Sequence, residues 1–134
     1  MSVFTPVVSA ADHPAQATAA TAETFIVGRV PFDATAVSAS IIPDAALTAD
    51  ATNNRTFTLT NRKQDGTGTA VVATLVTNVA GGNWVARDEK PMTMTAVAAD
   101  LVLAAGDILE MVETVGGTGV AHPQMAVEVR ATHR

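Results

Sequence analysis

The chain has 134 residues and no cysteine, with 48% hydrophobic and 16% charged residues, and 8 basic against 13 acidic side chains for a net charge of −5. That length suits one domain able to bury a core without staples. The composition excludes wholesale disorder, a disulfide scaffold, a thiolate metal site and a cysteine nucleophile.

Residues 1–23 differ in texture from the rest. Met1 to Pro6 lacks the basic-then-apolar order of a secretory signal. Ser9 to Ala22 is rich in Ala and Thr, contains Pro14 and offers no large apolar side chain. Alanine favours helix, so a short helix over 15–22 is one reading. The preferred expectation is an extended N-terminal arm that orders against a partner, with Phe4, Val7 and Val8 as its anchors.

Residues 24–134 read as one β-domain. Thr24 to Val30 is β-branched and aromatic and stops at Pro31, and Ala36 to Ile42 alternates until Pro43-Asp44. Ala45 to Arg55 is a polar connection with Asp50 and Asn53-Asn54 as turn formers. Thr56-Phe57-Thr58-Leu59-Thr60 alternates with period two, Asp65-Gly66 turns the chain, and Thr69 to Val79 returns, which predicts a hairpin. A turn at Ala80 to Asn83 precedes Trp84-Val85-Ala86, then the charged loop Arg87-Asp88-Glu89-Lys90, then Met92 to Thr95. Ala96 to Ala104 has helical propensity, enough for a one-turn crossing between strands. Ile108 to Val115 turns Leu109 and Met111 one way, and Met125 to Ala131 turns Val127 and Val129 inward. About eight antiparallel strands at this spacing predict an all-β fold, a single β-sandwich or jelly roll carrying the arm.

Few residues suggest chemistry. No basic run exceeds Arg62-Lys63, and aromatics are 4% with no tyrosine, so neither phosphate neutralisation nor base stacking is provided for and no nucleic-acid partner is expected. The most apolar window, Ala96 to Val112, contains Asp100, Asp107 and Glu110, which argues against a membrane span. His13, His122 and His133 have no ligand partner at the i, i+2 or i, i+4 spacing of common metal sites, so no metal or other cofactor is expected. Asp107, Glu110 and Glu113 fall on alternating faces of a strand and do not form a paired-carboxylate site, so Asp107 reads as a residue that bonds nearby backbone N–H groups. The glycine clusters at 66–68 and 116–119 lack the third glycine or Gly-Lys-Ser/Thr of a phosphate cradle, and no Gly-x-Ser-x-Gly occurs. The expectation is therefore that this is not an enzyme.

Trp84 is the one large aromatic with a polar handle. It can stack on a sugar, cap a core or anchor a subunit interface. Arg87 to Lys90 is a solvated loop or a charged contact with a neighbouring subunit. Strand faces rich in Thr, Ser and Ala suit flat packing between subunits.

Taken together, Glu23 to Pro31, Ser40 to Thr48, Arg55 to Asn61 with Gln64 to Thr69, and Ala104 to Glu110 resemble the capsid decoration, or cement, proteins of tailed bacteriophages. The resemblance is one of pattern over about Glu23 to Arg130. It implies a jelly-roll-like β-sandwich, commonly a homotrimer, on the outer capsid surface of the virion, with the major capsid protein as partner. The contact residues expected from this reading are Phe4, Val7, Val8, Trp84, Arg87, Asp88, Glu89 and Lys90. The competing reading is a carbohydrate- or receptor-binding β-module on a virion surface or fibre, with Trp84 as its platform.

Overall fold

The computed structural model describes residues 5–134. It contains ten strands: β1 (Val7–His13), β2 (Thr24–Arg29), β3 (Ala34–Pro43), β4 (Asn54–Asn61), β5 (Ala70–Val76), β6 (Lys90–Pro91), β7 (Thr93–Met94), β8 (Val102–Leu103), β9 (Ile108–Gly116) and β10 (Met125–His133). Two single turns of 3-10 helix, Val79–Gly81 and Ala98–Leu101, are the only helical segments among the described residues. The second is the one-turn crossing that the alanine-rich stretch suggests.

The strands form two antiparallel sheets. The first runs β1-β10-β3-β6 with β8 also on β3, and the second runs β2-β9-β4-β5-β7. The pairing is nested: β1 with β10, β2 with β9, β3 with β8, and β4 with β5. One long hairpin, closed at the β4–β5 turn, is thus wrapped so that successive pairs alternate between sheets, which is the jelly roll. The hairpin turn is where Asp65-Gly66 placed it, with the Asp65 carboxylate accepting from the Thr67 N–H at 3.1 Å.

Between the sheets lies one apolar cluster including Ile41, Phe57, Leu59, Leu109, Met111, Met125, Val127 and Val129, each 1% exposed or less. Burying a side chain of this kind contributes roughly 1.5–3 kcal/mol, so this layer supplies most of the drive to close the sandwich. Alternation sets the registry: Phe57 and Leu59 face in while Thr56 and Thr58 face out, as the sequence predicts.

The N-terminal segment departs from the expected arm. Residues 7–13 form a strand that pairs with β10 from Val7↔Arg130 to His13↔Met125. Val8 is buried, and no helix forms over 15–22. Alanine's helix preference is worth only tenths of a kcal/mol per residue, and a ladder of backbone bonds on an existing sheet outweighs it. The domain boundary expected at 23/24 is therefore not a structural one.

Candidate functional site

A buried polar cluster occupies one end of the sandwich. Arg55 enters near the start of β4 and shares the inward parity of Phe57 and Leu59. Glu113 shares the inward parity of Leu109 and Met111 on β9. Since Phe57 pairs with Glu113 and Arg55 with Val115, the arginine and the carboxylate are diagonal neighbours across the β4–β9 ladder. His13 closes β1, and His122 lies in the β9–β10 connection, where its backbone exchanges hydrogen bonds with Gln16 at 3.0 and 3.1 Å.

Glu113 is the hub. Its Oε1 accepts from Arg55 Nη1, and its Oε2 faces the Nε2 atoms of both His13 and His122, the latter at 3.2 Å. All four side chains are fully buried. Burial pushes the Glu113 carboxyl upward, yet hydrogen bonds from His122 and His13 and the charges of His122 and Arg55 outweigh it and hold the group at about 2. The cluster is walled by aromatic rings: Phe25 stacks on His13 at 4.0 Å and Phe57 meets His122 edge-on at 5.4 Å.

Arg55 also organises the surrounding chain. Its Nε and Nη2 donate to the Val120 carbonyl at 3.0 and 2.8 Å, Nη1 donates to Thr21 at 2.6 Å, and Nη2 donates to Ala19 at 2.9 Å and Thr18 at 3.4 Å. One guanidinium thereby pins both the β1–β2 connection and the β9–β10 connection. A planar group with five N–H donors and a fixed charge is suited to that task, and lysine is not.

The residues singled out in the sequence are placed elsewhere. Phe4 lies outside the described residues. Val7 is 39% exposed on the edge strand β1, whereas Val8 is buried and offers no contact surface. Trp84 is 1% exposed and packs on Phe57 with ring centroids 5.7 Å apart, so its area is used inside the chain rather than at an interface or against a sugar. Arg87, Asp88 and Glu89 are exposed, and Lys90 is half-buried with Nζ donating to the Gly81 carbonyl at 2.9 Å. Among the described residues none of these four makes an ion pair. Arg87 borders a shallow depression lined also by Asp12, Asp44 and Gln124. Asp107 behaves as expected, accepting from the Ala104 N–H at 2.9 Å and from Asn61 Nδ2 at 2.8 Å.

The outer face of the second sheet has a different character. One transverse row crosses all five strands as Thr24, Val112, Thr58, Thr74 and Thr93. Flanking it are Thr114, Thr56 and Val76 on one side, and Ile26, Glu110, Val71 and the buried Thr60 on the other. Glu110 is the one charged residue in these three rows, and Arg62 neutralises it at 2.9 Å. At the usual strand spacing the central row is about 19 Å wide.

Searches against protein-family models, curated proteins and solved structures returned no match.

Proposed function

We propose that this chain is a structural virion protein that decorates a phage capsid and stabilises it by bridging major capsid protein subunits, as a homotrimer on the outer surface. The observation that carries this reading is the outer face of the second sheet. In a chain of net charge −5, three rows of β-branched side chains carry a single, neutralised charge. Short, stiff side chains lose little rotamer freedom on contact, so a broad face of them favours extended subunit packing over recognition of a small ligand. The reactive side chains support the same reading, because the one cluster of them among the described residues is sealed inside the sandwich. A clamp that buries area only on an assembled shell stabilises that shell by mass action, without catalysis. The sequence resemblance to decoration proteins agrees. The glycan-binding alternative rested on Trp84, whose indole is buried.

The test is cryo-electron microscopy of shells incubated with purified protein, wild type and Thr58→Lys/Thr114→Lys. Density bridging capsomers with wild type, lost with the double variant while its circular dichroism is unchanged, is the expected result. No density on shells, or equal occupancy by the double variant, overturns it. Truncating residues 1–22 is unsuitable as a test of binding, since it removes β1 and His13 from the fold.

A further inference from the structure

The protons around Glu113 do not balance with neutral rings alone. The Pro123 carbonyl can only accept, so the His122 Nδ1 that meets it at 2.9 Å carries a hydrogen. A neutral His122 then directs a bare Nε2 lone pair at Glu113 Oε2, 3.2 Å away. His13 brings its own Nε2 to the same oxygen, and its Nδ1 is buried with no partner. His13 can meet that oxygen with its own Nε2–H, but His122 Nε2 cannot unless its ring is doubly protonated, so the sealed pocket calls for a cation beside Glu113 Oε2, either a second ring proton or a metal ion.

We propose that His13 Nε2, His122 Nε2 and Glu113 Oε2 form a binding site for a divalent transition-metal ion of the zinc class. The three donor atoms lie within 4.8 Å of one another. Ligand atoms about 2.0–2.1 Å from a tetrahedral zinc ion stand about 3.3 Å apart, close to the His122–Glu113 separation, whereas His13 Nε2 lies nearer to Oε2 and has to move outward to ligate. Imidazole nitrogen with carboxylate oxygen is a donor set that this ion accepts.

Much of the surroundings suits a bound ion, with the His13 Nδ1, buried without a partner, as the exception. The Pro123 carbonyl fixes the His122 tautomer so that Nε2 is the free donor. The Phe25 ring sets the plane of His13. Arg55 engages Oε1 and leaves Oε2 available, while its own charge is met by the carbonyls of Thr18, Ala19, Thr21 and Val120. Three protein donors leave a fourth position for one water. The ion joins the end of β1, the middle of β9 and the β9–β10 connection, three segments distant in sequence. In a chain without cysteine it acts as a staple, and the closed walls leave no access for substrate.

The experiment uses the full chain stripped with a chelator and titrated with Co2+ as a spectroscopic probe. Expected are visible d–d bands of tetrahedral strength that saturate at one ion per chain, vanish on adding Zn2+, and are absent from His122→Ala and Glu113→Gln. His133→Ala, which alters an exposed ring outside the cluster, keeps them. Equimolar Zn2+ raises the melting temperature of the stripped wild type by several degrees. A stripped protein that stays folded, shows no saturable band and melts unchanged with Zn2+ overturns the proposal and assigns the cation to a proton. Should the variants fail to fold, the wild-type titration and melting shift decide alone.

Discussion

Replacing Arg55 by methionine tests how far one side chain holds the end of the sandwich together. Methionine keeps most of the apolar stem and removes the guanidinium, leaving Glu113 without its cation and the carbonyls of Thr18, Ala19, Thr21 and Val120 without donors. Breaking a fully buried pair by removing one partner costs about 3–5 kcal/mol, because the surviving charge stays desolvated. Some of the released carbonyls regain water at the surface, so the lower half of that range applies to Arg55→Met, about 3 kcal/mol, against a total stability of about 5–15 kcal/mol for a domain of this kind. With a urea m-value of about 1–3 kcal/mol per molar, the unfolding midpoint of chelator-treated protein falls by about 1–3 M at constant m. Glu113→Leu alone is similarly damaging, since it orphans Arg55. The double variant loses less than the sum of the two, with a coupling of about 2 kcal/mol. A loss below about 1 kcal/mol for Arg55→Met, the size expected of an exposed pair, refutes the picture of a sealed, charge-paired lock.

Three further substitutions probe the turns and the core. Gly119 has φ +75°, and an added methyl would overlap the Ala19 carbonyl oxygen, so Gly119→Ala displaces the β1–β2 connection and costs more than about 2 kcal/mol in chemical denaturation, whereas Gly66→Ala, at φ +80° with open space around it, costs only about 1 kcal/mol for the backbone strain. Trp84 reports on the core: its emission should be blue-shifted and shielded from acrylamide, and Trp84→Ala should cost about 3–5 kcal/mol for a large buried ring; an accessible, red-emitting tryptophan would contradict its placement against Phe57.

The sandwich was legible where side-chain parity was strong. Thr56 to Thr60, Leu109 with Met111, and Val127 with Val129 each announce an inner and an outer face, and Asp65-Gly66 marks the turn that closes the wrapped hairpin. β1 escaped because Val7 to His13 is dominated by small residues, whose pattern carries no burial signal until β10 supplies a partner. The cluster escaped for another reason. His13, Glu113 and His122 meet only after β1 pairs with β10 and β2 with β9, a closure across most of the chain that spacing rules do not see. A parity signal nonetheless existed. Glu113 continues the inward series of Leu109 and Met111, and Arg55 that of Phe57 and Leu59, so each places an ionised group where a core residue belongs. A charge at an inward strand position asks for a partner of opposite sign at a neighbouring inward position, and the two residues satisfy each other.

That pairing also explains why this end of the core holds a cluster of charged side chains. The β1–β2 and β9–β10 connections are built mostly from Ala, Thr, Gly and Pro, which have too little apolar surface to be held by burial alone. Their backbones still need partners where they pass over the core. A single arginine with five donors provides several of them at once, and Glu113 makes its burial tolerable by balancing the charge. The two histidines then tie that carboxylate to the end of β1 and to the β9–β10 connection. On the second sheet's outer face the Glu110–Arg62 pair is the single charged feature of the three rows, and the Thr and Val side chains around it need no internal partner and are free to meet another surface.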